Sequence, residues 1–218
     1  MKKLIILLLA VSLLLCSCNK TDNQNKDNET TGVVDGYVHD YDENDRLALT
    51  VQYKDGAEVS RIEYSYDSEG NLVLLKTTAD GQLVQTISHE YENNVHVNST
   101  KEFKDFASGI ICREYSEFDG DGKTTFTEYF EDGQWVGREN YTYDENEDLV
   151  KKETVDKDGN VLTHEEYTYN QVNQIIRTDC YEFGSLAFYY IYKYDNMGDM
   201  SSATKYDPNG NVIEETKQ

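Results

Sequence analysis

The chain has 218 residues, with 42 Asp plus Glu against 20 Lys plus Arg, and a formal charge of −22. That excess disfavours nucleic acid as a partner, because a polyanion binds by exchanging its counterions for Lys and Arg, and it weakens any attraction to anionic head groups. With 18 Tyr, one Pro and 14 Gly, the composition leans towards strands and tight turns.

Residues 1–17 read as an export leader. Lys2 and Lys3 precede the apolar run Leu4 to Leu15, which is too short to span a bilayer comfortably and has the length of a secretory h-region. The run ends Leu15-Cys16-Ser17-Cys18, which resembles the lipobox of bacterial lipoproteins. Cys18 fits as the acylated residue, with an aliphatic residue three before it and a small one immediately before. Cys16 fits less well, because Leu15 would stand at the cut. The alternative is an ordinary secretory signal ending near a Cys. The resemblance implies a membrane partner reached through a lipid on Cys18, at the outer face of a bacterial membrane. Residues 18–36 are polar and without periodicity, so the lipidated Cys and a disordered linker are expected there.

From residue 37 to residue 218 the chain repeats. Aromatic anchors, usually followed by Asp, stand at Tyr41, Tyr66, Tyr91, Phe118, Tyr143, Tyr169 and Tyr194, spaced 25, 25, 27, 25, 26 and 25 residues apart. Two residues before an anchor stand His39, Tyr64, His89, Tyr141, Tyr167 and Tyr192. Twelve after stand Tyr53, Thr78, Phe103, Phe130, Val155, Tyr181 and Tyr206, and six after stand Leu47, Leu72, Val97, Thr124, Leu149, Ile175 and Met200. Unit 3 is the irregular one, with two extra residues and Tyr115 three before Phe118. Asp-Gly or Asn-Gly pairs at Asp55-Gly56, Asp80-Gly81, Asp132-Gly133, Asp158-Gly159 and Asn209-Gly210 supply hairpin turns, since Gly tolerates positive φ. In unit 5, Leu149 to Val155 and Val161 to Tyr169 are the two strands.

Seven hairpins plus a leading strand at Tyr37 to Tyr41 predict an all-β domain of 15 strands. A propeller would close awkwardly on three and a half blades. A membrane barrel conflicts with Lys151, Lys152 and Glu153 in succession, which charge both faces. The expected architecture is a curved antiparallel meander about 70 Å along its stacking direction, with charged Glu214, Glu215 and Lys217 guarding its last strand.

Tyr64-Ser65-Tyr66-Asp67-Ser68-Glu69-Gly70-Asn71-Leu72 resembles the YD repeats of RHS-type bacterial surface and toxin proteins. Tyr129-Phe130-Glu131-Asp132-Gly133-Gln134-Trp135-Val136-Gly137 is similar to the tandem hairpins of MORN-like repeats. The likeness covers residues 37–218 and implies a spirally wound β-sheet. The toxin domain and large shell of RHS proteins have no counterpart here, so toxin function is not carried over.

Candidate chemistry is sparse. Gly122-Lys123-Thr124 ends like a phosphate loop, but Glu117 occupies the place of its first Gly, and a hairpin turn is the expected role. Asp156, Asp158 and Asn160 alternate like calcium ligands, yet Val161 stands where an EF-hand needs Gly and Tyr167 where it needs Glu. Weak cation binding at Asp42 to Asp45 or Asp119 to Asp121 is set against solvated turn carboxylates. The four His form no metal-ligand spacing, and no nucleophile elbow is present. No catalytic residue, metal or cofactor is therefore expected. Cys112, placed near the end of the second strand of unit 3, and Cys180, on the first strand of unit 6, lie about 24 Å apart in an open meander, beyond the roughly 7 Å a disulfide spans, so free buried thiols are expected. The Tyr columns serve as cross-strand packing, with Trp135 the aromatic expected to be most exposed and, with Tyr129, the candidate contact for a ligand. These features point to a non-catalytic surface module binding a protein, or a polysaccharide held on Tyr rows.

Overall fold

The computed structural model describes residues 35–217. The leader, Cys18 and most of the expected linker lie outside the described residues. The strands are β1 (Gly36–Tyr41), β2 (Leu47–Lys54), β3 (Ala57–Tyr66), β4 (Leu72–Ala79), β5 (Gln82–Glu92), β6 (Val95–Lys104), β7 (Ile111–Phe118), β8 (Thr124–Glu131), β9 (Gln134–Tyr143), β10 (Leu149–Asp156), β11 (Val161–Tyr169), β12 (Ile175–Glu182), β13 (Ser185–Tyr194), β14 (Met200–Tyr206) and β15 (Val212–Lys217). They form one antiparallel sheet in sequential order from β1 to β15, open at both ends. The expected meander of hairpins is what the chain builds.

The sheet has two edges of turns. At one, the entry edge, β1 begins and the hairpins within each unit close; at the other, the far edge, lie the anchor turns. Two turn chemistries are used. Asp55-Gly56, Asp80-Gly81, Asn93-Asn94, Asp132-Gly133 and Phe183-Gly184 have positive φ at both residues, as a two-residue type I′ hairpin requires. Among those expected as Asp-Gly or Asn-Gly hairpins, Asp158-Gly159 and Asn209-Gly210 differ. Only the Gly is left-handed there, and each belongs to a wider turn, in which the amide of Asp156 donates to the carbonyl of Asn160 and that of Asp207 to Asn211.

All pairings except that of β6 with β7 contain a register shift. Such bulges strengthen local twist. Past the bulge each anchor except Tyr91 pairs with the residue six after it, as in Tyr66 with Leu72 and Tyr169 with Ile175.

Residues paired across strands share a face. Following the ladder, the column before the anchors (Tyr64, His89, Tyr141, Tyr167 and Tyr192) occupies one face, here the tyrosine face, while Tyr53, Phe130, Tyr181 and Tyr206 occupy the other. Aromatic residues thus serve both faces. Unit 3 departs from its columns. Tyr91 pairs with His96, five residues on rather than six, and the lost residue flips Phe103 onto the tyrosine face. A longer loop, Asp105 to Ile110, then resets the register before β7. That loop also places Cys112 second in β7, near its start rather than its end. Cys112 is half-buried and Cys180 buried, and both are free thiols.

The sheet is a single layer. Among the described residues no large side chain is fully buried, and the buried apolar set is Val51 and Cys180. Close packing occurs instead between backbones. Gly137 faces Tyr129 across the β8–β9 ladder, and a Cβ at Gly137 would meet the carbonyl oxygen of Val155 at 2.7 Å. Gly137, opposite Tyr129, must therefore lack a side chain. Gly137→Ala should lower unfolding free energy by about 1–3 kcal/mol, measured by urea denaturation, because backbone rather than a mobile side chain blocks the methyl.

Candidate functional site

The anchor motif is built from its aspartate. One carboxylate oxygen of Asp42 accepts the amides of Asn44 and Arg46 at 2.9 Å each, and Asp119, Asp144 and Asp195 accept the amides two and four residues on in the same way. Asn170 does so with its amide oxygen. Asp156 and Asp207 repeat the arrangement at the entry edge. An Asp with a short side chain suits this geometry because it bonds the backbone a few residues ahead. The alternating Asp156, Asp158 and Asn160 thus form a capped turn: Asp156 accepts from both other residues. Gly122-Lys123-Thr124 lies in the Asp119 turn, as expected of a hairpin.

The anchor tyrosine does a second job. The hydroxyls of Tyr66, Tyr169 and Tyr194 donate to the carbonyls of Leu47, Leu149 and Ile175 at 2.8 Å, and Tyr143 to Thr124 at 3.1 Å. Each acceptor opens the first strand of the preceding unit, so the hydroxyl ties one repeat to the next. Phe118 has no hydroxyl to donate. Around it His96 stacks on its ring at 4.3 Å and meets Tyr91 at 5.1 Å, an aromatic cluster in the irregular unit.

The densest polar cluster lies on the tyrosine face across β8 to β11. Tyr129 and Tyr141 both donate to one oxygen of Glu139, at 2.9 and 2.8 Å. Lys152 stands 3.5 Å from Glu139 and 3.9 Å from Glu165, whose carboxylate accepts the hydroxyl of Tyr167. Burial, reinforced by the Glu139 charge, pushes the pKa of Tyr129 and Tyr141 well up; burial and then the bond to Glu165 do the same for Tyr167. Cys180, opposite Glu165 in the ladder, is pushed up to about 11 by burial and then by that carboxylate. A neutral thiol is a poor nucleophile. The cluster holds protonated tyrosines and a protonated thiol around two carboxylates bridged by Lys152, an arrangement that locks strands together.

Of the two ligand-contact candidates, Tyr129 lies in this cluster and Trp135 lies apart from it. Trp135 pairs with Phe130, whose ring carries the Arg113 guanidinium at 3.9 Å. It is half-buried, its indole nitrogen buried without a hydrogen-bond partner, so the expectation of greatest exposure is corrected. Phe183 at 78%, Phe106 at 69%, Tyr37 at 64% and Tyr41 at 62% are the exposed aromatics. Trp135 follows a tight turn, but in the ladder it stands opposite Phe130 of the neighbouring strand. Sequence reasoning also missed the cation–aromatic pairs: Arg138 on Phe126 and Arg177 on Tyr189 at 4.2 Å, and Lys205 on Phe188 at 3.7 Å. Their signal is diagonal and needs the strand register. Among the described residues no group of three or more His, Cys, Asp or Glu is arranged to hold a metal ion.

No family model matches the chain, and no curated protein sequence matches it. Solved structures similar to it include a porin-like protein from Bacteroides uniformis, at 12% identity and a TM-score of 0.34, covering 78% of this chain and 88% of that one. The Photorhabdus luminescens Tc holotoxin pore matches at 10% identity and a TM-score of 0.23, covering 83% of this chain and 15% of that one. A Bacteroides fragilis protein of unknown function matches at 11% identity and a TM-score of 0.14, covering 84% and 93%. None of these scores identifies a shared fold beyond β-rich structure.

The turn carboxylates make stability sensitive to acid. Asp67 is held below the usual aspartate range first by the Asn71 side-chain amide, Asp207 likewise by Asn211, and Asp42 by the Arg46 backbone amide. A folded-state pKa below the unfolded one stabilises above the unfolded value, near 4, and that contribution disappears as pH falls through the folded value. Melting temperature should therefore drop below about pH 4. Asp67→Asn should melt below wild type at neutral pH and approach it in acid, giving a weaker acid dependence, whereas Asp67→Ala should melt lower at every pH.

Proposed function

We propose that this chain is an exported, lipid-anchored, acidic repeat module that acts without catalysis, binding a protein partner at the outer face of a bacterial membrane. The observation that carries this reading is the internal pairing of the polar groups on the tyrosine face. Tyr129, Tyr141 and Tyr167, and the anchor hydroxyls of Tyr66, Tyr143, Tyr169 and Tyr194, are engaged within the sheet. What remains for a partner is a broad surface under a strongly negative potential, including far-edge turns such as Asp144 to Asp148. The repeated YD-like and MORN-like motifs and the lipobox-like Leu15 to Cys18 support the same reading at the level of sequence. The surface favours a partner with a basic patch, steered by charge over a Debye length.

The rival reading is a polysaccharide held on tyrosine rings. The two separate by salt and by aromatic dependence. A partner recovered by pull-down should lose affinity steeply between low and physiological ionic strength, and should tolerate Tyr129→Ala and Trp135→Ala in protein whose melting shows it is folded. Affinity indifferent to salt and lowered by either substitution would replace the protein partner with a neutral glycan.

A further inference from the structure

The exposed apolar side chains of the sheet are not evenly placed. Among the described residues, all the large ones except Tyr41, Val95, Val172 and Met197 lie in the entry-edge turns or within the first three residues of strands that begin there, Tyr37, Val38, Val212 and Ile213 being on the wholly exposed terminal strands β1 and β15. Ile111, Val161 and Val212 open strands just past the turns of that edge, Leu83 is second in β5, and Phe106 and Phe183 sit in the turns themselves. Phe183 is the most informative. It holds φ 46°, the left-handed position that Asp55, Asp80, Asn93 and Asp132 fill in the other two-residue turns. A bulky aromatic residue is disfavoured there, while Asp and Asn are tolerated. The chain thus retains an apolar ring at the tip of a turn where local backbone preference calls for a polar residue.

The same edge receives the chain. β1 starts at Gly36, and the carboxylate of Asp35 accepts the amide of Asp55 in the first turn of this edge. Seventeen residues, 19 to 35, separate Cys18 from that strand. A random coil of seventeen residues spans about 20–25 Å root-mean-square. A strand of the sheet is about 30 Å long. A lipid on Cys18 would hold the entry edge near the bilayer, and bringing the far edge there instead would require a stretched tether. The far edge is also the more densely acidic one, with Asp144, Glu145, Glu147 and Asp148 in a single turn.

We propose that the entry edge is a membrane-apposing edge: Phe106, Phe183 and the aliphatic residues beside them rest in the interfacial layer of the bilayer, so that the sheet stands on its edge with its acidic turns outward. Aromatic rings are well suited to that layer. This orientation rests on the lipid-anchor reading, which brings the edge to the membrane. Acidic neighbours such as Asp80 and Asp132 favour a zwitterionic rather than an anionic surface.

The test uses tryptophan depth. In a Trp135→Phe background of the full chain, Phe106→Trp, Phe183→Trp and, at the far edge, Met197→Trp are made singly and reconstituted in phosphatidylcholine vesicles brominated high on the acyl chains. Fluorescence at positions 106 and 183 should be quenched about twofold or more relative to position 197, which should match its value in unbrominated vesicles. Equal quenching at all three positions, or none at 106 and 183, would overturn the proposal. Flotation of the cell-made protein with and without Cys18→Ser tests the anchor separately. Should that substitution leave membrane attachment unchanged, the three variants are read on protein coupled to maleimide lipid through Cys18, the buried Cys180 and half-buried Cys112 thiols being disfavoured by their raised pKa. Quenching restricted to positions 106 and 183 would then uphold the edge while the natural lipid falls, and its absence would overturn both.

Discussion

A one-layer sheet has no interior in which to bury its side chains, and the rest of this molecule answers that constraint. Val51 and Cys180 are the buried apolar residues among those described, too few to constitute a hydrophobic core. Stability must come from neighbouring strands, where each favourable cross-strand pair contributes roughly 0.2–1 kcal/mol. Summed over fourteen ladders, such pairs can hold a sheet together, provided that the register of each ladder is fixed. Register is therefore what the repeated residues secure.

Two devices act in each regular unit. The turn aspartate captures backbone amides and fixes where one strand ends and the next begins. The anchor tyrosine crosses to a carbonyl of the preceding unit and fixes the next hairpin against it. Between them, cation–aromatic stacks and the Glu139–Lys152–Glu165 cluster cover ring faces and aliphatic stems that a second layer would cover elsewhere. Charge on both faces follows from the same cause: with water on each side, Lys152 meets Glu139 on one face while Lys151 meets Glu153 at 2.7 Å on the other. Unit 3 tests this logic from within. Its anchor turn is a two-residue Asn93-Asn94 turn, and the following anchor, Phe118, has no hydroxyl. The ladder accordingly slips by one residue until the Asp105 loop restores it.

Strand number, order and turn positions were legible because the anchors, the Asp-Gly pairs and the near-25-residue period all report local backbone events. The face of each side chain was less legible. A single missing residue between Tyr91 and His96 inverts everything up to the next reset, so Phe103 aligns with Tyr53 in sequence and opposes it in space. Trp135 illustrates the same limit: its position after a turn suggested exposure, but it is half-buried opposite Phe130, a partner identified only by pairing. The hydroxyl tie of Tyr66 to Leu47 spans 19 residues and has no signature beyond the tyrosine itself. The uneven edges were legible only once alternate turns were known to lie on opposite sides, which assigns Phe106 and Phe183 to the side where β1 begins.

The claim that each unit is a self-registering hairpin is tested most directly by comparing two deletions. Removing Tyr66 to Glu90 takes out one whole repeat and leaves Tyr91 to follow Ser65, so that every later strand keeps its direction and its turn. Removing Tyr66 to Thr77 takes out about half a repeat and reverses the direction of all that follows. The first protein should retain a β circular dichroism spectrum and a cooperative melt close to that of the parent, while the second should lose both. Equal spectra and equal melting in the two deletions would contradict the account, because they would mean that the sheet does not depend on the register that the anchors impose.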